Sequence, residues 1–261
     1  MKTVKIDKTS GKPAGEPRKA GRRPKDDGAL ELSRAVVVEC AVKLAQKESL
    51  SDISMVRLAR ELGVTPALIH YYVGSRDDLL SAIINYAFKE RMRALPPQTG
   101  DWRADLEAIA RSTAKTHAKW PGLAAYTAAH NRFRLFQKVA EGETDHGLAF
   151  FDHVGRVLKA GGFKASQAAL IYHLLLMFLV SVGSTTAHRQ SPKDHEDFIV
   201  GYLSRYEPAQ IPGATFMVKP FAKIDSPTTF ETGLKLLLDG FEAWLSNGET
   251  PRTKRRATTK A

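Results

Sequence analysis

An all-α fold is predicted for this 261-residue chain by three observations. Apolar residues recur at helical spacing along most of its length. Ser, Thr or Asp stands just ahead of several of these runs, where it can cap a helix, and Gly or Pro follows them. No segment alternates convincingly as a half-buried strand does, and no internal repeat is visible.

Taken in order, residues 1–28 read as a disordered basic arm. The first helix is predicted over 29–47, with Val37, Cys40, Ala41, Leu44 and Ala45 on one face. After a turn over Glu48 to Asp52 comes SMVRLARELGVTPALIHYYV, Ser54 to Val73. Ser54 can cap a short helix whose inner side carries Val56, Ala59 and Leu62. Gly63 can take the left-handed backbone angle of a tight interhelical turn. Thr65 then Pro66 starts a second helix, the hydroxyl satisfying an orphan amide and the proline having none to lose. Ala59 is small where the two helices cross, and Ile69 and Val73 point into the crease between them. That spacing is a helix-turn-helix, and it leaves Ala67, Leu68, His70 and Tyr71 to project outward. A plain helical hairpin in an all-α core shares the spacing, but not the two caps and the outward aromatic pair.

Gly74-Ser75 breaks the pattern, and Ser75 caps a longer helix from Arg76, with Asp77 and Asp78 in its favourable first turn. It ends before Pro96-Pro97. From about Asp101 helices are predicted over 102–119, 129–140, 145–160, 166–187 and 228–246. Residues 191–227 form a long Pro-, Gly- and Asp-rich segment with room for a short helix near 194–206, and unstructured connections of this length are unusual and tend to be functional or mobile. The organisation is thus an arm (1–28), a helix-turn-helix domain (29–75), a second helical domain (76–247) and a basic tail (248–261).

The net charge of +11 lies mostly at the two ends. Residues 1–28 hold nine Lys/Arg against four Asp/Glu, and residues 249–261 hold five against one. Such ends suit a polyanion and would add a salt-sensitive part to DNA affinity, or they are solubilising termini. The single cysteine, Cys40, excludes an internal disulfide and fits a reducing compartment. The first 28 residues contain no apolar stretch of a leader. The longest apolar run, Ala168 to Val182, falls short of the roughly 20 residues of a membrane span. A cytoplasmic protein without a membrane partner is expected.

IxxxRLARELGV (Ile53 to Val64), YYV (Tyr71 to Val73) and GSRDDLLSAI (Gly74 to Ile83) together resemble the DNA-binding domain of the TetR family of bacterial transcriptional regulators. GDWRADL, LKAGGF (Leu158 to Phe163) and FETGLKLLLDGFEAW (Phe230 to Trp244) resemble the regulatory domain of its tetracycline-repressor branch. The resemblance covers about residues 30–246. It implies that Ala67, Leu68, His70 and Tyr71 meet DNA in the major groove, with Ser54, Thr65, Pro66 and Tyr72 beside them. Arg76 stands at a phosphate-clamping position, where arginine's forked donors serve well. Val56 occupies a position often held by a contacting arginine, and Arg57 is its neighbour. GRRPK (Gly21 to Lys25) resembles an AT-hook, which would lay Arg22, Arg23 and Lys25 in a minor groove.

The same resemblance implies a homodimer. Ala168 to Val182 is apolar all round, and Gly233 and Gly240 lie seven residues apart on one face of the last helix, as a four-helix bundle between two copies would need. A mostly apolar effector pocket is expected from His117, Trp120, Tyr126, His130, Phe133, Phe136, Phe151, Tyr172 and Met177. Met92 and Ile109 stand where the tetracycline repressor places polar drug contacts, so the same drug is not implied, and neither a metal nor a cofactor is expected. The expected function is a ligand-responsive repressor that binds a palindromic operator as a dimer and is released by a small molecule. The alternative is a DNA-bound structural or interaction protein using the fold without a small-molecule ligand. An enzyme has little support: His146 and His153 lie two turns apart, and no HExxH, paired cysteines, nucleophile elbow or Gly-rich phosphate loop occurs.

Overall fold

The computed structural model describes residues 32–129 and 138–247, and every regular element among them is a helix. The arm, the basic tail and most of the helix expected over 129–140 lie outside the described residues.

Three helices open the fold: α1 (Arg34–Ala45), α2 (Met55–Leu62) and α3 (Pro66–Val73). Each starts on a hydroxyl. Ser33 accepts from the Val36 amide, Ser54 from Arg57 and Thr65 from Leu68, each cap being worth about 1 kcal/mol. Gly63 ends α2 at φ +66°, and the Val64 amide donates back to the Ala59 carbonyl at 2.9 Å, which closes the interhelical turn. Val37, Ala41, Leu50, Ile53, Leu58, Ile69 and Val73 are buried together with Leu79 and Leu80 of the next helix. Val56 departs from expectation. It is 57% exposed, and Met55 and Leu58 take the inner positions of α2 instead. The start of the helix at Met55 turns Val56 onto the outer side of the first turn.

Helix α4 (Arg76–Arg93) opens with a reciprocal cap, in which the Ser75 hydroxyl accepts from the Asp78 amide and the Asp78 carboxylate accepts from the Ser75 amide. Gly74, at φ +80°, is required here: a side chain would meet the Asp78 carboxylate at 2.7 Å. The N-terminal half of α4 packs on α1 and α3, and its length carries the chain into a second bundle with α5 (Trp102–Lys119) and α7 (His146–Ala160).

That bundle is completed by α6 (Pro121–Ala129), α8 (Ala165–Ala187) and α11 (Ser226–Asn247). Its core holds Leu106, Ile109, Phe150, Val154, Leu158, Ile171, Leu175, Leu234, Leu238 and Phe241. Two helices had no counterpart in the sequence reading: α6 and α10 (Pro212–Phe221), the latter inside the segment taken as mostly irregular. Both begin on a proline at the first turn, where proline is favoured because its missing amide has no partner to lose. Residues 138–140, expected to be helical, are not. The short helix near 194–206 is present as a turn of 3-10 helix followed by α9 (Glu196–Leu203).

Within residues 165–203 one stretch is long and apolar enough to cross a membrane by composition. In α8 only Gln167, Ile171, Tyr172, Leu175 and Leu179 are buried, and His173 and Met177 are exposed. The two glycines of α11 do not share a free face. A side chain at Gly233 would collide with the Phe178 ring of the same chain, whereas Gly240 faces open space.

Candidate nucleic-acid interface and interior polar cluster

Helix α3 is held from behind by Ile69 and Val73, both buried, so its other face is left to solvent. Thr65, Pro66, Ala67, Leu68, His70 and Tyr71 are exposed, Tyr71 to 79%, and Tyr72 is half-buried with its ring edge-on to Tyr71 at 5.2 Å. His70 Nδ1 lies 2.9 Å from the Gly74 carbonyl, which can only accept, so Nδ1 carries a proton and is engaged within the chain.

The two phosphate anchors read from sequence both have partners within the chain. The Arg76 guanidinium donates to the carbonyls of Ile53, Leu50 and Ser51 at 2.9–3.1 Å. It stitches the loop after α1 to the head of α4. Arg57 pairs with Glu61 at 2.6 Å and Glu48 at 2.9 Å. Both cations are therefore already engaged, because each sits beside oxygen atoms of its own domain, and Arg60 is the exposed guanidinium of α2. Ser54 is a half-buried cap. Arg22, Arg23 and Lys25 lie outside the described residues.

The expected pocket residues do not form one group. His130, Phe133 and Phe136 lie outside the described residues. Trp120 and Tyr126 are buried, and His117 borders a cavity of about 460 Å³ among α5, α6, α8 and α11, walled by Leu179, Val182, Gly183 and Phe230. Phe151 is exposed and lies edge-on to Tyr172 at 4.9 Å. Met177 does not join the others: five residues from Tyr172, it is turned about 140° around α8 and is 57% exposed.

Sequence reading missed Arg91. On α4 it follows Leu80, Ile84 and Ala87 at heptad-like spacing, so its side chain is buried with theirs. An arginine at an inward position was the available signal. Its guanidinium lies 4.8 Å and 5.0 Å from the ring centres of Phe88 and Phe150. Among the described residues its Nε, His117 Nδ1, Trp120 Nε1 and the Tyr172 hydroxyl are buried without a hydrogen-bond partner, a costly state for any one of them. Burial pulls Arg91 down to about 10, with the Tyr172 hydroxyl acting the other way. Burial, then the Arg91 charge, brings His117 to about 3, so it is neutral. Burial raises Tyr172 to about 12.

Contacts of α6 and α4 tie the bundle together and to the α1–α3 unit, beside the Arg34–Glu143 pair at 3.1 Å. At Gly122 of α6, an added Cβ would stand 3.0 Å from the Leu50 amide and 3.1 Å from Ser49 Cα, so α6 rests directly on the loop stitched by Arg76. The buried Asn85 of α4 holds the start of α7, donating to the Thr144 carbonyl and accepting from the His146 amide. Lys138 pairs with Asp78 at 2.8 Å, holding that carboxyl well below the usual range together with the Ser75 hydroxyl and amide.

Residues 95–245 match the family described as "Tetracyclin repressor-like, C-terminal domain". The HTH-type transcriptional repressor DrrR1 of Streptomyces coeruleorubidus is 37% identical over 105 residues, 40% of this chain and 38% of that protein, so the match spans under half the length of this relative. Apo ActR of Streptomyces coelicolor superposes with a TM-score of 0.70 at 25% identity, covering 84% of this chain and 98% of that one. ActR in complex with (S)-DNPA gives 0.67 at 26% identity over 81% and 98%. A helix-turn-helix with an open α3 face, followed by a second helical bundle that matches over more than half of the chain, places this protein in the tetracycline-repressor-like (TetR) family of transcriptional regulators.

Proposed function

We propose that the chain is a cytoplasmic repressor that binds a palindromic operator as a homodimer and is released when a small molecule enters its second helical domain. In this reading residues 29–75 are the DNA reader and 76–247 the sensor and dimerisation domain. The observation that carries it is the outward face of α3, in a chain that belongs to a family of regulators. Ala67 and Leu68 have no hydrogen-bonding side chains and would meet thymine methyls, while the exposed His70, its Nδ1 engaged, would meet a base edge through Nε2. Tyr71 reaches furthest, for a base edge or phosphate, and the start of α3 at Thr65–Pro66 favours a phosphate. With Arg57 and Arg76 engaged, the phosphate charge is assigned to Arg60 and to Arg22, Arg23 and Lys25 of the arm.

Two copies are favoured by the outer faces of α8 and α11, where Met177 and Leu236 are exposed in the single chain, and by the gain from two half-sites one helical turn apart. The ActR complex, a ligand-bound member of the same fold, supports small-molecule sensing. The route to DNA runs through α6. A ligand that moved Trp120 would shift Gly122 against the Ser49–Leu50 backbone, and with it the Arg76 stitch beneath α3. Coupling of about 1–3 kcal/mol would suffice for release.

The test is selection of binding sites from random duplex DNA with the full chain, with the mass of the complex read by light scattering. An enriched inverted repeat bound by two copies is expected. Enrichment of no sequence over random duplex would refute the reading.

A further inference from the structure

Arg91 is a cation in the interior, and among the described residues it forms no ion pair and its Nε has no partner. Residues 130–137, HNRFRLFQ, contain no Asp or Glu, so that segment cannot supply a carboxylate either. Beside it the Tyr172 hydroxyl and, on α5, His117 Nδ1 are likewise buried and unpartnered. The surrounding walls are aromatic, with Phe88 and Phe150 against the guanidinium and Phe151 edge-on to Tyr172. A buried arginine with free donors is costly unless an anion completes it, and its planar fork suits a carboxylate or similar oxyanion. Tyr172 adds a hydroxyl, whereas the neutral His117 ring already donates to the Leu179 backbone, so its Nδ1 is an acceptor. Arg91 and Tyr172 are the donors left to meet an incoming anion.

We propose that the effector is an anionic, aromatic or otherwise apolar organic molecule whose oxyanion is read by Arg91, with Tyr172 donating beside it and Phe88 and Phe150 packing the apolar body. This rests on the second domain being the sensor. It excludes a purely hydrocarbon ligand and a cation, the first because it would leave Arg91 unpaired and the second because it would be repelled.

Two fluorescent probes separate the possibilities, because they share one aromatic skeleton: anilinonaphthalene sulfonate carries an anion and phenylnaphthylamine does not. Each is titrated into the full-length wild type, Arg91→Met, Arg91→Lys and Tyr172→Phe, with folding of each variant checked by circular dichroism. The wild type is expected to bind the sulfonate at least about tenfold more tightly than the neutral probe, the range of a charge-assisted hydrogen bond. Arg91→Met should abolish that preference and leave the neutral probe's affinity unchanged, with Arg91→Lys intermediate. Should Arg91→Met not fold, Tyr172→Phe carries the test, with a severalfold loss for the sulfonate alone. Equal affinity for both probes in the wild type, or a preference untouched by Arg91→Met and Tyr172→Phe, overturns the anion inference while leaving a sensor pocket in place. Binding of neither probe overturns both.

Discussion

The α1–α3 unit and the interior of the second bundle treat their polar groups in opposite ways. Around α3 nearly every strong donor near the surface is already engaged: Arg76 by three carbonyls, Arg57 by two carboxylates, and His70 Nδ1 by the Gly74 carbonyl. In the second bundle four buried polar atoms, on Arg91, His117, Trp120 and Tyr172, have no protein partner among the described residues. The first region is finished before it meets anything, which suits a rigid surface presented to DNA. The second is internally unbalanced, which suits an interior whose stability depends on what enters it. Function in this family member is therefore divided between a complete element and an incomplete one, joined where Gly122 rests on the Ser49–Leu50 backbone.

The contrast breaks most visibly at Arg76. Arg76→Ala removes three charge-assisted bonds and leaves the Leu50, Ser51 and Ile53 carbonyls short of a donor, so a loss of about 3 kcal/mol is expected in urea unfolding. A change within about 0.5 kcal/mol, the usual range for surface sites, would mean that the stitch is ornamental. At Arg91 the opposite sign is expected. Arg91→Met removes an unpaired buried charge and fills similar space, so the unfolding free energy should stay level or rise by up to about 2 kcal/mol. A large loss instead would show that the guanidinium is satisfied as it stands.

His117 gives a third, smaller effect, in pH. Its folded value of about 3 lies below the ordinary histidine value of 6.5. Between the two the unfolded chain binds the extra proton, so stability falls as pH falls from about 6.5, by up to ~1.4 kcal/mol per unit. Burial also depresses His146 and His153, and both remain in the comparison protein. His117→Leu should flatten the fall in melting temperature between pH 7 and pH 5. An identical slope in both proteins would place the effect on the other histidines.

What could be read from sequence follows the same division. The helix-turn-helix was legible because local chemistry determines it: Ser54, Gly63, Thr65 and Pro66 act on backbone groups within a few residues, and the structure uses each of them that way. The Arg57–Glu61 pair is local, at i,i+4 on α2, but the partners of Arg57 at residue 48 and of Arg76 at residues 50–53 are set by tertiary packing and were not legible. Helices α6 and α10 are absent from the sequence reading although Pro121 and Pro212 stand at their first positions, where proline is favoured. The aromatic residues expected at the pocket do not come together, and the buried Arg91, marked by falling on an apolar stripe, was passed over. Met177 shows the converse, an apolar residue in an apolar helix that the turn of α8 carries to the outside.

The most direct test of the α3 face as the reader is Tyr71→Ala, assayed by fluorescence anisotropy on the selected duplex and by urea unfolding in parallel. Tyr71 is 79% exposed, so stability should change by less than about 0.5 kcal/mol while affinity for the operator falls about tenfold or more. Undiminished affinity in the variant would contradict the claim that this face reads DNA.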